Sequence, residues 1–349
     1  SIKYRERNDH GDWVGGPMYY IKNGMGKHWK WLGSLFCLFA MLASFGIGNG
    51  AQANSIVGSI YNAITTFVPA ADNAHSRFLI SLVCGVIMAF LVALILFGGI
   101  KRIGAVTEKL IPFMSLFYIL FTLIVIGAHA GNIGKAFQLI FASAFTPEAV
   151  LGAGSGILLK QTIIWGMRRS AFSNEAGLGS AAIAHAAADT DGPVHQGVFG
   201  IFEVFADTIV ICSLTALTII CSGVEIPFGV KPGSELIMQA FATVFGARFA
   251  SLFVAFALML FAFSTIVGWS LYGTRCTQFL FGLKATKIFQ GAFIVVVVLG
   301  SVASLDTVWD VADTFNGLMA IPNFIAVFAL SGVVAKETRK FFSNPLRKD

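Results

Sequence analysis

The sequence predicts an all-α polytopic membrane protein, and three observations carry that reading. Of 349 residues, 56% are hydrophobic and only 12% are charged, with 34 Phe, whereas soluble domains carry about 25% charged residues. Uncharged intervals are long, at 31–71, 78–100, 110–134, 249–274, 288–305 and 314–335, and about 20 apolar residues span a bilayer. The cations gather in short connections, as they do in cytoplasmic loops. A net charge of +6 therefore points to the lipid bilayer as partner and not to nucleic acid.

Residues 1–30 read as a cytoplasmic loop carrying Lys3, Arg5, Arg7, Lys22, Lys27 and Lys30. The opening has no Met and is charged from Lys3 to His10; it reads as the tail of a preceding helix, with the N-terminal part of a larger protein expected to be absent. The first span, near 31–60, holds Asn49, Gln52 and Asn54 among glycines and alanines. Such amides can join helices that small residues let approach closely, or hold the carboxylate or amine of a zwitterion. Both readings stand. Spans near 78–100 and 106–128 follow, joined by Lys101 and Arg102. Segment 132–150 puts Ile133, Phe137, Ile140, Phe141 and Ala144 on one face, which fits a short helix at the membrane interface.

Spans near 155–188 and 196–222 come next, then a second interfacial pattern over 233–245 with Ser234 as its expected N-cap. Spans near 248–274, 286–304 and 319–336 complete eight crossings, and Lys336, Arg339, Lys340, Arg347 and Lys348 close the chain. An internal start then puts every basic cluster inside. The expectation is one transmembrane domain in the cell membrane, with loop 1–30, helices over 31–336, tail 337–349 and both ends cytoplasmic. Cys37, Cys84, Cys212, Cys221 and Cys276 form no CxxC or Cys/His cluster, so they read as buried small hydrophobes.

The fourth span is interrupted. Ser170 to Ser180 brings Ser, Asn, Glu and two glycines into an apolar run. Hydrocarbon offers a loosened backbone no water, so such a break survives only where it lines a cavity or is buried in protein. Broken helices carry the substrate and ion sites of secondary transporters. Gly177 and Gly179 are expected to adopt conformations or approaches that a Cβ forbids. The N–H groups that follow would face an anionic substrate group.

Other polar positions carry two readings each. Ser264 and Thr265 offer the hard oxygens a small cation takes, yet such hydroxyls often bond back to the preceding turn. Gly268 beside Trp269 is either an ordinary packing pair or a gap against a flat wall suited to a small side chain. Glu203 and Asp207 share a helix face and either join an ion-pair network with Arg168 and Arg169 or help to couple an ion. His185 and His195 are expected as solvated residues of the inner mouth, with a proton relay as the other reading.

The strings Gly15 to Ile21, Gly46 to Ser55, Gly98 to Ile103 and Phe172 to Ser180 together resemble the alanine/glycine:cation symporter family. So do Phe205 to Thr208, Phe261 to Thr265 with Gly268 and Trp269, and Asn316 to Asn323. The resemblance covers essentially the whole chain. It implies a leucine-transporter-type core of two inverted five-helix repeats, N-terminally truncated, with the last eight helices of an eleven-helix plan. It also implies sodium-coupled symport of alanine or glycine, in some members proton-coupled. By matching position, Gln52, Phe172, Thr265, Gly268 and Trp269 would line the substrate pocket, and Ser264 with Thr265 would bind sodium. Asn174 and Glu175 would stabilise the broken helix or a second ion.

The expected function is alternating-access symport of a small neutral amino acid, with sodium as the transported coupling ion, no organic cofactor and no reaction chemistry. Two rivals remain from other classes. A membrane-embedded hydrolase needs a nucleophile with a base, but no His lies three or four residues from the serines of 170–180. A channel subunit needs selectivity rings, and no repeated motif supplies them.

Overall fold

The computed structural model describes residues 1–9, 11–145, 164, 166, 173–175, 177–226, 233–303 and 305–343. Among these, six helices are long and apolar enough to cross a membrane: Lys27–Phe67, Ala74–Leu96, Arg102–Ala128, Pro193–Ser222, Ala247–Phe281 and Leu283–Val302. A seventh crossing is formed if Asp313–Ala329 and Ser331–Phe342, bent by 54°, count as one span. These match seven of the eight expected spans. The remaining one, near 155–188, falls half outside the described residues.

The Ala247–Phe281 helix runs through the middle of the bundle. It packs on Lys30–Phe45, Ala51–Phe67, Gly99–Ala128, Glu235–Phe245 and Leu283–Val302. Its small residues make this possible: Ala250, Ala255, Ala257, Ala262 and Ser270 are all buried and let neighbouring helices come close. The lipid-facing sides are apolar. Phe78, Val83, Ile87 and Phe90 on one helix, and Leu116, Leu120 and Leu123 on the next, are exposed, as expected where the solvent is hydrocarbon. Within the first span the α-helix gives way to a π turn over Gly46–Gly50, a local widening that often accompanies functional sites.

The two interfacial patterns behave differently. Ile133–Phe145 is a helix that leaves Phe137, Ile140 and Phe141 exposed, as the sequence led one to expect. Glu235–Phe245 instead buries Phe241 completely, in an aromatic cluster with Tyr118, Phe245 and Phe253. Its Ser234 occupies the N-cap position but makes no side-chain cap hydrogen bond.

The segment read as a loop, 1–30, is folded. Glu6–Arg7 pairs antiparallel with Trp13–Val14. The Arg5 and Arg7 guanidinium groups lie 4.2 and 4.6 Å from the Trp13 ring centre. Lys22 bonds Glu6 at 2.9 Å, and Arg275 reaches Asp12 at 3.5 Å. The start read as a helix tail is instead a 3-10 turn followed by a strand, and cation–π stacking and ion pairs give the segment its shape. All five cysteines are free. Cys37, Cys221 and Cys276 are buried as expected, but Cys84 is half-buried at the edge of a core cluster, and Cys212 is exposed, its Sγ 3.3 Å from Ser173 Oγ.

Candidate functional site

The broken helix is the centre of the site. Ser173 and Asn174 are helical, the next helix spans Ala181–His185, and the residues described between them are not helical. Glu175, Gly177 and Gly179 have φ of 56°, 86° and 93°, left-handed values that glycine reaches without steric cost and other residues rarely adopt. The break has strict neighbours. A Cβ on Gly179 would lie 2.6 Å from Pro17 Cγ and 2.8 Å from Asn323 Cγ, and one on Gly177 would lie 2.9 Å from Phe324. The Gly177 carbonyl accepts a hydrogen bond from Asn323 Nδ2 at 2.7 Å, and the Tyr20 hydroxyl donates to Asn323 Oδ1.

On the other side, the break is tied to a second π segment, Phe205–Cys212. Ser173 Oγ donates to Asp207 Oδ2, and Asn174 Nδ2 to Thr208 Oγ1 at 2.5 Å. Between these elements and the 247–281 helix lies a cavity of about 480 Å³. Its wall includes Asn174, Glu175, Asp207, Ser264, Thr265, Gly268 and Trp269. Glu175 is half-buried, with the Trp269 and Tyr272 donors beside its carboxylate.

The candidates therefore divide. Asn174, Ser264, Thr265, Gly268 and Trp269 come together around one cavity. Ser264 and Thr265 both donate to the Phe261 carbonyl, at 2.8 and 3.0 Å. That back-bonding occupies their protons and leaves their oxygen lone pairs available. Trp269 is 2% exposed, edge-on to Tyr272 at 5.4 Å, with the Gly48 backbone against its ring. Gln52 lies elsewhere, its amide donating to the Ile47 carbonyl at 3.1 Å across the π turn. Asn49 and Asn54 likewise bond backbone carbonyls of the 283–302 helix and its end, the joining role open to them in the sequence. Gly177 and Gly179 shape the break and are not among the described wall residues. Phe172, Arg168 and Arg169 lie outside the described residues.

Two further expectations change. The half-helix after the break has only five residues, too short for a large dipole. His185 is held, not merely solvated: Gln196 Nε2 lies 2.7 Å from its Nδ1, and Glu203 Oε2 lies 3.0 Å from its Nε2. A Gln amide donating to Nδ1 leaves the proton on Nε2, facing the carboxylate. Glu203 thus finds its partner in His185.

Sequence reasoning missed Tyr20, Asn323, Gly48 and Arg5. An asparagine in the apolar run 317–330 was a usable signal, since a polar group at that depth needs a partner. Gly48 gave none, because its role depends on a distant indole.

A family model described as the sodium:alanine symporter family matches residues 1–348. The chain belongs to that family. Among curated relatives of this symporter-family chain, the sodium/alanine symporter AgcS of Methanococcus maripaludis is 41% identical over 100% of this chain and 73% of its own length. An uncharacterized transporter of Haemophilus influenzae is 38% identical, over 98% and 72%. The amino-acid carrier protein AlsT of Bacillus subtilis is 37% identical, over 93% and 65%.

Proposed function

We propose that this protein is a sodium-coupled symporter of small neutral amino acids, alanine or glycine, working by alternating access on a leucine-transporter-type inverted-repeat core. The observation that carries the reading is the helix break in a membrane-embedded bundle, with its polar side chains opening on a cavity. A buried break of this kind supplies the ligands that secondary transporters use. The sodium/alanine symporter at 41% identity over the whole chain supports the substrate class. The probable sodium/glutamine symporter GlnT of Bacillus subtilis is 36% identical and is the reason to test a longer amide side chain as well.

In this reading Ser264 and Thr265 hold sodium through their hydroxyl oxygens, with Asn174 as a further oxygen donor near the break. Thr265, Gly268 and Trp269 bound the substrate side chain, with Phe172 as a further pocket residue and Gln52 steadying the π turn behind. Sodium and substrate act by favouring the conformations that bind them. Both chain ends face the cytoplasm of a cell membrane.

The test is uptake of labelled alanine, glycine and glutamine into liposomes carrying the purified protein. Accumulation only under an inward sodium gradient supports symport. Uptake that merely equilibrates would indicate a channel, and product formation without accumulation a hydrolase.

A further inference from the structure

Three of the strings that carry the family resemblance meet at one buried polar contact. Tyr20 belongs to the Gly15–Ile21 string, Gly177 to the broken helix, and Asn323 to the Asn316–Asn323 string. Asn323 is 2% exposed and Tyr20 8%. The orientation of the Asn323 amide follows from its partners. A carbonyl can only accept, so the NH2 must face Gly177, and the amide oxygen then faces the Tyr20 hydroxyl as acceptor. Turning the amide over would set two acceptors against each other. The contact thus joins residues 146 and 303 positions apart in the chain.

Its position matters because of what surrounds it. The left-handed Glu175, Gly177 and Gly179 are an arrangement that persists only where neighbours over-determine it. Pro17, Asn323 and Phe324 are those neighbours, and Asn323 alone among them makes a directional bond to the break. Asn323 is not among the residues lining the cavity, whereas Asn174 and Glu175, just before Gly177, are.

We propose that Asn323 is a positioning residue: it pins the Gly177 carbonyl, keeps the break open, and so holds Asn174 and Glu175 on the cavity wall, with Tyr20 fixing its amide. The role in transport rests on the symport reading above. Substrate affinity then depends on a residue that does not touch substrate, and the break has one fixed point about which the segment beyond it can move.

The test pairs hydrogen exchange with uptake kinetics on the parent, Asn323→Leu and Tyr20→Phe. Leu keeps the volume and removes both hydrogen bonds; Phe removes one hydroxyl and is expected to fold even if Leu does not. Exchange of amides in 177–188 should accelerate about tenfold in Asn323→Leu, the scale of a lost buried hydrogen bond, and about threefold in Tyr20→Phe. Exchange elsewhere should be unchanged. The KM for alanine should rise by a similar factor while the maximal rate changes less. Unchanged local exchange, or acceleration spread evenly over the chain, overturns the pin. Faster local exchange with an unchanged KM overturns the positioning role. A parent that takes up no alanine brings down the symport reading and the role in transport with it, a result distinct from an active parent with unresponsive variants.

Discussion

Trp269 sits between two surfaces: the cavity in front and the Gly48 backbone behind. A size limit follows from that placement. Trp269→Ala should admit leucine and weaken alanine, because one methylene in an apolar pocket is worth about 1–3 kcal/mol of discrimination. Competition by leucine against labelled alanine reads this directly; equal loss of both substrates would make the indole a packing element. Gly48→Ala acts from behind, since its Cβ would collide with the indole and press it toward the cavity. Alanine uptake should fall more than glycine uptake, and a parallel fall would refute the pressure. Thr265→Ala should raise the sodium concentration for half-maximal uptake, because its oxygen is a donor that alanine lacks. A sodium dependence equal to the parent's removes Thr265 from the ion site. At this scale the chain was partly legible. Thr265 and Trp269 announce themselves as a hydroxyl and a wide ring in an apolar run. Gln52 was not legible as a helix-internal contact, because its bond to the Ile47 carbonyl depends on the π turn.

The broken helix is where local sequence and structure agree best. Glycines in an apolar stretch imply backbone that a Cβ would forbid, and Gly177 and Gly179 are indeed left-handed. Their tight neighbours were not legible, since Pro17, Asn323 and Phe324 reach the break only through the tertiary fold. Gly179→Ala must therefore meet two obstacles at once, an unfavourable φ and two side chains inside 3 Å. A left-handed non-glycine residue alone costs about 1–3 kcal/mol. Alanine binding by calorimetry should fall well beyond any drop in folded yield. Loss of yield and binding in proportion would mean that the glycine serves folding alone.

For the whole molecule, hydropathy located the membrane helices because the period and length of apolar runs are local properties. It carries no information on the strap formed by residues 1–26, whose shape comes partly from contacts with residues far along the chain. That strap holds the end of the segment beyond the break. Arg5 Nη1 donates to the carbonyls of Ala186 at 3.0 Å and Ala188 at 2.7 Å, while its guanidinium stacks on Trp13. Helix-end carbonyls lack intrahelical donors, and a cation there satisfies them. The strap's own ion pair is acid-sensitive in a defined direction. Burial pushes the Glu6 carboxyl up, but hydrogen bonds from Lys22 and Asn23 outweigh it and hold Glu6 below its ordinary value of 4.5. A lowered acid contributes stability above its unfolded value and loses it as pH falls through the folded one, so the strap should behave uniformly across neutral pH. Arg5→Ala removes the cap without touching the cavity. Thiol labelling of Ala187→Cys, a position on the cavity wall, should then become several-fold faster than in the same cysteine variant with Arg5 intact. Arg5→Lys should fall between, since an ammonium can still donate to the carbonyls but does not stack as well on an indole. Equal labelling rates in all three would show that the strap follows the inner segment and does not restrain it.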